Sequence, residues 1–204
     1  MRIHSVPRPI AAVRLDGGRP CLDFINTIHD RDAAQPEDYI CTPARFVAWS
    51  LRAGLLAPDE ARNIKMPADH SRLMREINNF RTSLHRLLSA RIDRVPITLS
   101  MTRELDEWLH RAWRDLAVDP LANDSLRWRK RARDARLPLK RIALSALELL
   151  REGNLTRLKC CSNPSGCGWL FYDETRNNHR RWCAMETCGT LAKISRFRAR
   201  HSRS

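Results

Sequence analysis

Several things are missing from this chain. No stretch approaches the eighteen or so consecutive apolar residues of a helical membrane span, which excludes that class. The opening residues, Met1-Arg2-Ile3-His4-Ser5-Val6-Pro7-Arg8-Pro9, are broken by prolines and charges, so no apolar leader is expected and the compartment reads as cytoplasmic. There is no internal repeat and no low-complexity tract. No phosphate-cradling loop or Ser-His-Asp set is visible, so the chain does not read as an enzyme. Acidic residues are scarce, 23 Asp and Glu against 37 Lys and Arg, for a formal net charge of +14. That deficit favours a polyanion as partner, nucleic acid before membrane surface.

The excess of positive charge is uneven. Residues 151–204 carry a net +7 in 54 residues, and the first 150 residues together carry the same +7. The chain has 204 residues, 43% of them hydrophobic, enough for one domain of ordinary size and a small module.

The apolar pattern then places the elements. Residues 1–20 read as an arm ending at Gly17-Gly18, and Cys21 to Ile28 as a strand or buried extended stretch. Thr42 and Pro43 open a helix through Phe46, Val47, Trp49 and Leu51 that closes at Gly54. From about Pro67 to Ile92, Leu73, Ile77, Phe80, Leu84, Leu88 and Ile92 recur at helical spacing. Ser100 or Thr102 caps a helix through Leu105, Trp108 and Ala112. Arg114–Val118 and Ser125–Arg131 read as short strands around a turn-rich loop at 119–124. A last core helix covers about Leu139–Glu152 and stops at Gly153-Asn154.

Five of seven cysteines crowd into residues 160–188. Cys161, Cys167, Cys183 and Cys188 form two close pairs, as a tetrahedral zinc site built from two short loops requires. Spacing alone lets Cys160 replace Cys161, and His179 or His201 are ligands on chemistry alone. Clustered cysteines in a reducing compartment read as metal ligands rather than disulfides, and four of them leave no coordination position for catalytic water. The expected cofactor is one structural zinc ion.

The string from Cys161 through Cys167, Trp169, Phe171, Asp173, Thr175 and Asn177, then Arg180-Arg181-Trp182-Cys183 and Cys188-Gly189, resembles the CGNR zinc-finger family. Cys21 to Thr27 and the Pro43–Leu56 helix resemble the ABATE domain that usually precedes it. The resemblance favours Cys161 over Cys160. It implies a bacterial, stress-linked transcription regulator that binds double-stranded DNA through the finger. It departs at the name-giving tetrapeptide, which here reads Cys188-Gly189-Thr190-Leu191, without the Asn-Arg pair.

The expected architecture is α+β: a mainly helical domain with a few short strands at 1–153, then a four-cysteine zinc finger with a basic C-terminal helix at 154–204. Arg180, Arg181, Lys193, Arg196 and Arg200 are the candidate DNA contacts, the last three sharing a helix face. Ile194 and Phe197 are expected to anchor that helix, and Leu191 to pack inward. Trp169, Phe171 and Trp182 read as a small core around zinc rather than as base-stacking platforms. Asp23, Asn26 and Thr27 are candidates for binding a small effector, against the alternative that Asn26 and Thr27 bond locally to backbone. A homodimer is compatible with this reading. The alternative function is a zinc-stabilised protein-interaction module that does not touch DNA.

Overall fold

The computed structural model describes residues 8–31, 33–119, 125–129, 134–152, 154–163 and 166–201. In chain order its first elements are α1 (Pro20–Ile25), β1 (Ile28–His29), β2 (Glu37–Asp38), α2 (Pro43–Arg52) and α3 (Pro58–Asn63). Next come α4 (His70–Ile92), α5 (Leu99–Asp115), β3 (Leu116–Asp119), β4 (Ser125–Trp128) and α6 (Leu137–Arg151). The C-terminal part holds β5 (Leu158–Cys160), β6 (Leu170–Tyr172) and α7 (Thr190–His201). The described strands pair as three separate antiparallel two-stranded ladders, β1 with β2, β3 with β4 and β5 with β6. The fold is mainly helical α+β, with a four-cysteine cluster in its C-terminal part.

Two compact units emerge, and the front of the chain groups with its end. One is Ile40–Gly153; the other joins Met1–Tyr39 to Asn154–Ser204. The helical unit forms because four amphipathic segments bury one stripe each. Thr42 caps α2 by accepting from the Arg45 N–H, and Asp69 does the same for α4 at Arg72. Helix α5 packs on both α4 and α6, burying Phe80 against Trp108 at 5.9 Å between ring centroids. Helix α5 starts at Leu99 with Thr98 as its N-cap, ahead of the expected Ser100 or Thr102. Most of the expected 119–124 loop, the end of the second expected strand and Gly153 lie outside the described residues.

The second unit is assembled around β6. The Cys21–Ile25 stretch, expected to be extended, is the helix α1. Pro20 presets its first turn, and Cys21, Leu22, Phe24 and Ile25 are all buried, the i, i+1, i+3, i+4 set of a helix face. Gly17 lies so close that a Cβ there would come within 2.8 Å of the Leu22 Cβ and 2.9 Å of the Asp23 backbone N. Gly17 also accepts the Tyr172 N–H at 2.9 Å.

The other tie is Asn26, 2% exposed. Its Nδ2 donates to the Leu170 carbonyl at 2.8 Å, and its Oδ1 accepts the Leu170 N–H at 3.0 Å. One side chain thus satisfies both backbone groups of a buried strand residue, as a neighbouring strand would. This is why residues from the front of the chain fold with its end.

Candidate metal centre and basic helix

Cys161 follows β5, its N–H bonded to the Trp169 carbonyl at 2.9 Å. Cys167 stands between Gly166 and Gly168, whose φ values of 87° and 62° are left-handed. Glycine adopts that region at no steric cost, so the chain can turn sharply on both sides of the ligand. Cys183 follows Trp182, and Cys188 lies within a π-helical turn, Met185–Gly189, that runs directly into α7.

The four sulfurs all lie within 4.8 Å of one another, and all four residues are buried. Cys160 is exposed, and it is Cys161 that joins the cluster. The Cys167–Cys183 and Cys183–Cys188 sulfurs are 3.7 and 3.6 Å apart. Those separations are far beyond the roughly 2.05 Å of a disulfide. A tetrahedron with Zn–S bonds of about 2.3 Å has S···S edges of about 3.8 Å, so the spacing fits that ion.

Electrostatics support the same conclusion. Hydrogen bonding from Cys167 and Cys183 drives the Cys161 thiol down, and contact with Cys161 pushes Cys167 and Cys183 up. The thiols therefore cannot all ionise side by side without a cation among them. Four thiolates around a divalent ion keep two excess negative charges, and the surrounding donors answer them. Arg14 Nη2 reaches Cys183 Sγ at 3.8 Å, Asn163 Nδ2 reaches Cys188 Sγ at 3.5 Å, and the Cys183 N–H reaches Cys161 Sγ at 3.4 Å. Arg14 and Asn163 carried no sequence signal, because nothing near Arg14 in the chain marks it as a neighbour of the cysteines. The cluster fits one structural zinc ion.

A second network braces the knuckle. Asp173, fully buried, accepts from Lys159 Nζ at 2.6 Å, from the Thr175 hydroxyl and amide, and from the Arg180 N–H at 2.8 Å. Burial alone would raise this carboxyl, but those donors outweigh it and hold Asp173 well below the usual carboxylate range. Lys159 also donates to the Asn178 carbonyl at 2.7 Å and the Arg180 carbonyl at 3.1 Å.

The candidate DNA contacts separate into two groups. Arg180 is half-buried and points inward. Its Nε donates to the Trp182 carbonyl at 2.9 Å, its Nη2 to the carbonyls of Asp16 and Cys183, and its guanidinium stacks 4.7 Å from the Phe171 ring. Arg181, Lys193, Arg196 and Arg200 are exposed. Trp169 and Phe171 are core residues, and Trp182 is half-buried.

Two packing expectations fail on α7. Ile194 and Phe197 are 41% and 61% exposed and do not anchor the helix, and Leu191 is 47% exposed instead of packed. The buried residue is Ala192, with Ser195 half-buried one turn on, because only small side chains let the helix approach this closely. His179 and His201 are exposed and stand outside the cysteine cluster.

The three effector candidates are engaged internally. Asn26 clamps β6, the Thr27 hydroxyl donates to the Phe24 carbonyl at 2.7 Å, and Asp23 accepts the Gly17 N–H at 2.8 Å. Burial pushes the Asp23 carboxyl up to about 7 against that hydrogen bond, with the Asp16 charge adding to the rise.

Comparison with known families agrees with this geometry. A family model described as "CGNR zinc finger" matches residues 157–201. A second, described as "Putative stress-induced transcription regulator", matches residues 18–153, more than half of the chain. A search of curated proteins finds no match. No described helix is long and apolar enough to cross a membrane. The chain belongs to the ABATE family and carries a C-terminal CGNR zinc finger.

Proposed function

We propose that this zinc-binding regulator acts on transcription by binding double-stranded DNA through α7 and the adjoining Arg181. The observation that carries the reading is the position of Cys188. The fourth ligand lies in the turn that becomes α7, so the metal fixes the direction of a helix exposing Lys193, Arg196 and Arg200 on one face. Zinc supplies the folding energy of a knuckle with little core of its own. Exposed guanidinium and ammonium groups then bind phosphate by releasing condensed counterions, and a rigid Arg can read guanine bidentately. Arg180 is not among the DNA contacts in this proposal, since its donors hold the knuckle together. Four thiolates close the coordination sphere, so the metal's role is structural and the protein is not an enzyme in this reading.

A second reading rests on the apolar exposure of the same helix. Leu191, Ile194 and Phe197 are the kind of residues a protein partner covers, which makes zinc the support of a docking surface. Fluorescence anisotropy with duplex DNA distinguishes them. DNA binding that disappears when zinc is chelated and weakens in a Lys193→Ala, Arg196→Ala, Arg200→Ala protein supports the first. Unchanged affinity in that folded triple variant rejects it.

A further inference from the structure

A cavity of about 500 Å³ lies wholly within the Ile40–Gly153 unit, where the starts of α4 and α6 meet the end of α5. Small-molecule sites begin at roughly 300 Å³. Five cations line it: Arg72 of α4, Arg111 and Arg114 of α5, Arg136 at the N-cap of α6 and Lys140 within that helix. Three carboxylates oppose them, Glu76, Asp115 and Asp134, so the lining holds two positive charges in excess.

The carboxylates are engaged within the wall. Asp115, 5% exposed, meets Lys140 Nζ at 2.7 Å. Glu76 takes Arg136 Nε on one oxygen at 2.6 Å and Arg72 Nε on the other at 3.4 Å. Asp134 accepts the Arg136 backbone N–H at 2.9 Å. Glu104 and Glu107 stand on α5 outside the lining, and Glu107 lies 3.7 Å from Arg111 Nη2. The cations keep donors in hand. Glu76 occupies only the Nε edge of Arg72 and Arg136, so the terminal Nη groups of both find no acceptor among the described residues. Lys140 is 4% exposed, its ammonium carries three donors, and Asp115 is its one side-chain acceptor among those residues.

We propose that this cavity binds the dianionic phosphate group of a small phosphate monoester. Two negative charges match the excess of the lining, and three terminal oxygens can accept from guanidinium forks and an ammonium together. A carboxylate guest brings one charge and two acceptor atoms, and so leaves more of these donors unmet. The volume exceeds what a phosphate group fills, which leaves room for a sugar-sized organic part. Duplex DNA suits the site less well. Its phosphodiesters carry one charge each along a continuous backbone, and neighbouring phosphates would meet Glu76 and Asp134 in the wall. No residue of the zinc finger or of α7 takes part, so this inference goes beyond the DNA reading and does not depend on it.

Ribose 5-phosphate and ribose form the test pair, since they differ only in the phosphate. Each is titrated calorimetrically into the intact zinc-loaded protein at low salt and about pH 8, where a phosphate monoester is dianionic. Ribose 5-phosphate is expected to bind with a Kd below about 1 mM, inorganic phosphate to displace it, and ribose to give no signal at about 10 mM. Arg136→Gln should weaken binding at least about tenfold, and Arg72→Gln at least about threefold. The Arg72 side chain is 68% exposed, so its variant folds and decides the matter if Arg136→Gln does not. The assignment is overturned if ribose 5-phosphate gives no heat at about 10 mM, if ribose equals it, or if the folded variants bind it as the parent does. It is equally overturned if a duplex with 5′-hydroxyl ends displaces ribose 5-phosphate from the Lys193→Ala, Arg196→Ala, Arg200→Ala protein, which would make the cavity a DNA-backbone surface.

Discussion

Replacing Asn26 by Ala tests how the front of the chain is tied to the finger. The substitution removes both hydrogen bonds to Leu170, at 2.8 and 3.0 Å, and leaves a backbone N–H and C=O unpaired in a strand residue that is 1% exposed. Each buried group left without a partner costs about 1–3 kcal/mol, so the change should destabilise this unit by about 2–5 kcal/mol. For a unit of this size that lowers Tm by at least about 10 °C. Asn26→Asp should be no milder, because it turns a second oxygen toward the Leu170 carbonyl where the amide nitrogen donated. Circular dichroism reads the melting, and competition with a chromogenic chelator reads zinc release. Both should respond, since β6 follows Cys167 and the clamp holds its start. An Asn26→Ala protein that melts within about 2 °C of the parent and releases zinc at the same rate would refute the reasoning.

Four further outcomes are expected. Cys183→Ser should lose zinc and unfold the finger, whereas Cys160→Ser, at an exposed position, should keep full occupancy by metal analysis. Asp23 has its carboxyl raised to about 7 from 3.8, so its neutral form is favoured by folding and stability should fall as pH rises from about 4 to about 7. Asp23→Asn keeps an acceptor for Gly17 and should remove that fall, matching the parent near pH 4 and exceeding it near pH 8 in urea denaturation; equal curves would sink the claim. Arg180→Ala should lower the melting temperature, as its guanidinium bonds three carbonyls, while a pure DNA contact would leave stability intact. Leu191→Arg should leave melting unchanged at a 47% exposed site and steepen the salt dependence of DNA binding by about one unit.

The core helices of the Ile40–Gly153 unit and the metal ligands were legible because their signals are local. Thr42-Pro43 and the long row from Leu73 to Ile92 each carry cap and period within one element. The cysteines announce themselves by pairing. What escaped is what spans distance or depends on phase. Cys21 to Ile28 places apolar residues where both a strand and a short helix accept them, and Pro20 decides for the helix. Asn26 meets a partner 144 residues away, so neither an effector contact nor a local backbone bond describes it. Leu191 faces outward because the chain does not enter α7 as a regular helix from Met185. The first turn is instead a π turn, whose extra residue rotates everything after it. Arg180 stands three residues before Cys183, and adjacency in sequence does not tell inward from outward.

The salt dependence of duplex DNA binding by the zinc-loaded protein tests the central claim most directly. Affinity should fall linearly on a log-log plot with a slope of about −0.9 for each phosphate contacted, and the Lys193→Ala, Arg196→Ala, Arg200→Ala protein should lose up to about three such units. A flat salt dependence, or a slope unchanged in that variant while zinc and fold are retained, would contradict DNA binding through α7.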